Sequence, residues 1–242
     1  MLQNTKQLYG RKLGATDGEI GHVKDFYFDD QTWMIRYLVV DTGPWLTGRQ
    51  VLLTPHAFGT HAVGSHAFGI AAANDDVLHV KLTRKQIEDS PSIDAHRPIS
   101  RQYEDEYHRY YGWQAYWQGG GVWGLSGLSP ITPIPVPASR PHHGHNQRDD
   151  LHLRSTKAAT GYSLHANDGE VGSVSGFMLD GPSWQIRELA VETGHWYAGK
   201  MIYVRTKNIT RISYDHSSVF VNLSKADIAQ TTGNAVAHPG SK

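Results

Sequence analysis

Leu13–Arg49 reads LGATDGEIGHVKDFYFDDQTWMIRYLVVDTGPWLTGR, and Leu164–Lys200 reads LHANDGEVGSVSGFMLDGPSWQIRELAVETGHWYAGK. The two stretches align without a gap at a constant offset of 151 residues, Asp17 over Asp168 and Gly48 over Gly199. Self-similarity of this kind marks a duplicated structural unit. The match resumes in VLHVKLTRKQI, ending at Ile87, and SVFVNLSKADI, ending at Ile228, now offset by 141. The first copy therefore carries ten extra residues, within or near His56–Gly69, where HAFG occurs twice.

Working outward, each copy reads as β structure. Asp17-Gly18 and Asp168-Gly169 sit between short apolar runs, and Asp-Gly is a strong hairpin signal because both residues tolerate positive φ. Strands are expected near Ile20–Phe28 and Val171–Leu179, then in the Trp-led runs Trp33–Asp41 and Trp184–Glu192. Alternation puts Leu38 and Val40, with counterparts Leu189 and Val191, on a core face. The other face, with Tyr37 and Asp41 or Glu188 and Glu192, reads as wet. Further strands are expected near Gln50–Thr54, Phe68–Ala73, Val77–Leu82, Met201–Arg205, Thr210–Tyr214 and Val219–Leu223. Thr83 and Ser224 read as N-caps of short helices through Ile87 and Ile228. Many short strands on a small core predict a mainly β fold, one small barrel-like sheet per copy.

Between the copies, Ser100–Trp117 contains a helix with acids in its first turn and Tyr103, Tyr107, Tyr110 and Tyr111 at helical spacing. A Gly-rich and then Pro-rich stretch follows, the composition of a linker. The organisation expected is 1–90 for copy one, 91–150 for the linker with its helix, 151–232 for copy two and 233–242 for a disordered tail. The two copies should pack as a pseudo-twofold pair.

Composition narrows the function. Hydrophobic residues make up 39% and charged residues 19%, enough apolar material for a core. Lys+Arg and Asp+Glu balance at 23 each, so no global basic field gathers nucleic acid. The absence of cysteine excludes disulfides, thiolate metal sites and a Cys nucleophile. No leader-like or membrane-spanning apolar run is visible, and a cytoplasmic location is expected.

The ordered pattern D-G-E-[IV]-G-x-V-x-x-F, then W-x-I-R-x-L-x-V-[DE]-T-G-x-W, then a strand and an L-[TS]-[RK] helix start, resembles the PRC-barrel domain. The resemblance covers about residues 5–90 and 155–230. The same fold serves as the cytoplasmic domain of the photosynthetic reaction-centre H subunit and the C-terminal domain of a ribosome maturation factor. The whole chain is similar to tandem PRC-barrel proteins with a YYGW-like segment between two barrels, each ending in a short helix. The resemblance implies a non-enzymatic scaffold or adaptor that binds a protein partner, without a cofactor. Alternatives are a soluble component like the reaction-centre H subunit, acting in electron transfer or assembly, and an RNA- or ribosome-associated factor. The expectations are a protein partner, no membrane span, no nucleic acid and compatibility with a homo-oligomer.

Candidate sites follow from residue chemistry. No G-x-S-x-G, Walker loop or dinucleotide fingerprint occurs, so no enzyme is expected. His56, His61 and His66, and His142, His143 and His145, lack a scaffold for a metal, and no metal site is expected. Asp17/Glu19 and Asp168/Glu170 read as turn residues. Arg36 and Arg187 share the parity of the core Leu and Val and demand carboxylate partners, with Asp29, Asp180 or Asp25 as candidates. Trp45, and Trp196 with Tyr197, lie in two equivalent loops and read as barrel lids, as partner anchors, or as loops packed on each other across the two barrels. Tyr107, Tyr111 and Trp113 complete the candidate binding set, because Trp, Tyr and Arg dominate interface hot spots.

Overall fold

The apolar alternation around Ile20–Phe28 and Leu38–Val40 resolves into two long antiparallel strands that anchor a sheet, and the second copy repeats them. The computed structural model describes residues 2–58, 77–91, 101–113, 152–194 and 199–233. Along the chain these form β1 (Leu2–Asn4), α1 (Thr5–Leu8), β2 (Lys12–Ala15), β3 (Gly18–Asp29), β4 (Ile35–Asp41), β5 (Gln50–Leu53), β6 (Val77–His79), α2 (Arg84–Glu88) and α3 (Arg101–Tyr111). There follow β7 (Leu153–Ser155), α4 (Thr156–Ala159), β8 (Ser163–Ala166), β9 (Gly169–Asp180), β10 (Gln185–Thr193), β11 (Met201–Arg205), β12 (Ile209–Ser213), β13 (Ser218–Val221) and α5 (Lys225–Gly233). The protein is mainly β, with two sheets.

The first sheet runs β5-β4-β3-β2-β6 and the second β11-β10-β9-β8-β13-β12. In the second sheet the end strands β11 and β12 are consecutive in the chain, joined only by the turn Thr206–Asn208. From Arg205 to Ile209 the chain can span about 14 Å at most, so the sheet must curl to bring its ends close. No ladder joins β11 to β12 among the described residues. The expected strand Phe68–Ala73, and nearly all of the ten-residue insertion, lie outside the described residues.

The halves are interlocked. β1, at the head of the first copy, pairs with β9 of the second, Leu2 opposite Asp180. β7, at the head of the second copy, pairs with β3 of the first, Leu153 opposite Asp29. The registers are the same pair displaced by the repeat offset. The Trp turns add a second reciprocal contact: Ile35 N–H donates to Trp184 O and Ile186 N–H to Trp33 O, both at 2.8 Å. Phe28 packs on Phe177 across the seam, ring centroids 5.5 Å apart. Met1–Glu88 and His152–Lys242 accordingly form one unit, and Asp89–Leu151 a second that carries α3.

Three expectations are corrected. Trp33 and Trp184 do not open strands; they sit in the turns before β4 and β10 with φ of 62° and 55°. A bulky side chain at positive φ is strained, and each Trp carbonyl meets the other half there. The face of β4 expected to be wet is buried at Tyr37 and Val39. In the second copy Glu192 is exposed and Glu188 partly so. At the Asp-Gly tips the positive φ falls on Gly18 and Gly169 alone, and both Asp side chains turn away to another task.

That task is helix capping. Asp17 Oδ1 accepts from Arg84 N–H at 2.7 Å and Asp168 Oδ1 from Lys225 N–H at 2.9 Å. Thr83 and Ser224 cap as read from sequence, within reciprocal boxes with Gln86 and Asp227. The Ser224 hydrogen bonds hold the Asp227 carboxyl below its ordinary range. Gly21 and Gly172, the second glycines of the repeated motif, are required for close approach. A Cβ there would fall on the carbonyl oxygen of Asp41 or Glu192 in the paired strand.

Candidate functional site

Trp45 lies in a short 3-10 turn, Gly43–Leu46, opened by Pro44 and closed by Thr47 and Gly48 at positive φ. The Gly48 N–H donates back to Gly43 O at 2.8 Å, which fixes the loop. The Trp45 ring is half-buried, with the Arg84 guanidinium over it at 4.6 Å. Arg49, just past the loop, donates from Nη1 to Glu88 O at 2.8 Å. Loop and α2 are thus fastened together at both ends of the helix, and an aromatic–cation pair stands beside the Asp17 hairpin tip. Trp196 and Tyr197 lie outside the described residues, although the glycines flanking them close the same way, Gly199 N–H to Gly194 O at 3.3 Å.

In the second unit, α3 ends where YYGW requires it to end. Gly112 takes φ of 67°, its N–H donates to Arg109 O, and Trp113 N–H donates to His108 O. This is a Schellman closure, and its usual apolar contact is the Tyr107–Trp113 ring pair at 6.1 Å. Tyr111 and Trp113 stack at 4.4 Å with planes 11° apart. Tyr107 is fully buried, Tyr111 and Trp113 half-buried, and Tyr110 exposed beside Asp105, Glu106 and Arg109.

The ion pairs differ between copies. Arg36 Nη1 lies 3.5 Å from Asp29 Oδ2 with only 2% of the Arg side chain exposed. Arg187 Nη2 lies 3.8 Å from Asp180 Oδ2 with 49% exposed. Asp29 also accepts from the N–H groups of Gln31 and Thr32 and from Thr32 Oγ1, so it builds the turn as well. Asp25 is bonded elsewhere: it accepts from Thr156 Oγ1, Ser155 Oγ and Lys157 N–H across the seam.

Sequence reasoning missed a polar cluster on that seam. Asp30 accepts from Arg154 Nε at 3.2 Å and Tyr214 Oη at 3.1 Å, and pairs with His152 Nδ1 at 2.9 Å. The Arg154 guanidinium stacks on the Tyr214 ring at 3.7 Å. Burial, and then the Asp30 charge, push the Tyr214 hydroxyl far above its ordinary pKa. The signal was a difference between copies: Asp30 has Gly181 as its counterpart. Of the six histidines weighed for metal, only His56 is described. Among the described residues no group of three or more His, Asp and Glu could hold a metal ion. No helix among them is long and apolar enough to cross a membrane.

Residues 6–86 match the PRC-barrel domain. A comparison with curated proteins finds no match. The PRC-barrel match spans the first half from α1 into α2 and stops short of β1, the strand given away to the other half. The Asp17 tip, the Arg36–Asp29 pair and the Trp45 loop all lie inside it.

Proposed function

We propose that the chain is a non-enzymatic adaptor built from two PRC-type barrels, with Trp45 and Arg84 presented to a protein partner. The observation that supports this reading is how the acidic side chains are used. Asp17, Asp25, Asp29, Asp30 and Asp168 are all engaged in holding helix starts, turns or arginines. Such carboxylates serve architecture rather than proton transfer. The interlock adds a rigid base, so a loop aromatic under a cation is offered with little ordering cost on binding. PRC-type folds carry no single activity, so the site and not the fold must supply the role.

A photo-crosslinking amino acid at position 45, with recovery from the source cells, tests the reading. Repeated capture of one protein, lost when Arg84→Ala is added, supports it. Capture of only abundant, unrelated proteins at every repeat overturns it.

A further inference from the structure

The arms exchanged between the two halves are not interchangeable. β1 lies on β9 and β7 on β3 in the same register, so the residues of arm and socket compare one to one. The first-half socket contains Asp25 and Asp30; the second-half socket has Gly176 and Gly181 in their places. The arms differ in the complementary sense: Arg154-Ser155 enters the first socket and Gln3-Asn4 the second.

The contacts follow these differences. Asp25 is 8% exposed, and its donors are Ser155 Oγ, Thr156 Oγ1 at 3.0 Å, Lys157 N–H at 3.1 Å and its neighbour Phe26 N–H at 2.7 Å. Asp30 takes Arg154 and His152 from the same arm. In the other socket a Cβ at Gly176 would stand 2.6 Å from Asn4 Oδ1, so the Asn4 side chain fills the room that Asp25 takes in the first. Both Asn4 and Ser155 cap the helix that follows them, on Lys6 N–H and Ala158 N–H. Either residue can therefore serve the helix, and the choice between them is left to the socket.

We propose that Asp25 and Asp30, against Gly176 and Gly181, are specificity-determining residues that admit to each socket only the arm of the opposite half. A second copy of this chain, pairing like half with like half, would bring Asn4 into the space of Asp25 and leave Asp30 without Arg154. The reverse mismatch would set Arg154 opposite glycine and leave a void at Gly176. A buried carboxylate stripped of donors, or two polar groups forced into one space, is costly. The partner each socket fits is the other half of its own chain.

Thermal unfolding of the full chain, followed by circular dichroism, tests this. D25G, S155N, N4S and G176D each create one mismatch and should melt below the wild type. The matched doubles D25G/S155N and N4S/G176D should recover most of the loss. R154Q, D30G and R154Q/D30G give the same comparison at a more exposed couple and decide the matter if the Asp25 variants do not fold. Doubles that melt as low as the summed losses of their singles would overturn the proposal, because arm and socket would then be independent.

Discussion

Arg36 and Arg187 hold the same place in the repeat and meet different surroundings. Parity along the strand was enough to put a charge on the core side, and the need of such a charge for a partner left Asp29, Asp180 and Asp25 as candidates. It could not tell that one pair is buried and the other half in solvent, because burial depends on what covers the strand. The difference has a measurable consequence. D29A leaves a buried guanidinium and should cost about 3–5 kcal/mol in denaturant unfolding, whereas D180A, beside an exposed arginine, should lose far less of its pairing energy. Equal losses would contradict the burial assignment. His56 gives a pH prediction. Burial holds its pKa below the ordinary 6.5, so the unfolded chain takes up a proton there more readily than the folded one. The His56 contribution is fully present above about pH 6.5 and is lost as pH falls through the depressed folded value. H56Q should flatten that part of the stability profile between pH 7 and 5, with wild type and variant unfolded side by side. Asp25 was nearer to invisible: its donors across the seam lie about 130 residues away, and no local pattern announces them.

At the scale of elements, strands and caps were largely legible, and turns less so. Thr83 and Ser224 were readable as caps because the box chemistry is local. The Asp-Gly tips were readable as hairpins, but the use of the Asp side chains was not, since the helix they cap begins 67 residues away from Asp17 and 57 from Asp168. Local turn preference and a distant N–H donor compete for the same carboxylate, and the distant helix start wins. D17A and D168A should each lower stability by about 1 kcal/mol, with the loss of α2 or α5 protection visible in amide hydrogen exchange. Unchanged protection in both helices would separate the tips from the caps. The Trp turns were misread because a Trp before an alternating run looks like the first strand residue. At positive φ each Trp N–H closes its own turn on Asp29 O or Asp180 O, while its carbonyl accepts from the other half, a partner that no local propensity encodes. Gly112 is the opposite case, a glycine whose place after Tyr110-Tyr111 is explained by the helix stop it allows.

For the whole molecule, the repeat told how many sheets to expect and was silent on which copy each strand joins. A strand exchanged between two equivalent sheets leaves the same sequence pattern as one kept at home, so the alignment cannot separate them. What separates them is the asymmetry at Asp25/Gly176 and Asp30/Gly181, meaningful only once arm and socket are seen together. The halves thus form a single interlocked unit. The chain has no cysteine of its own, so disulfide trapping reads the seam directly. Leu2→Cys with Asp180→Cys should close a bond within one chain, because the two positions face each other across β1 and β9. Leu2→Cys with Asp29→Cys, the pair that would meet if each half kept its own strand, should stay open. A bond in the second pair and none in the first would contradict the exchange.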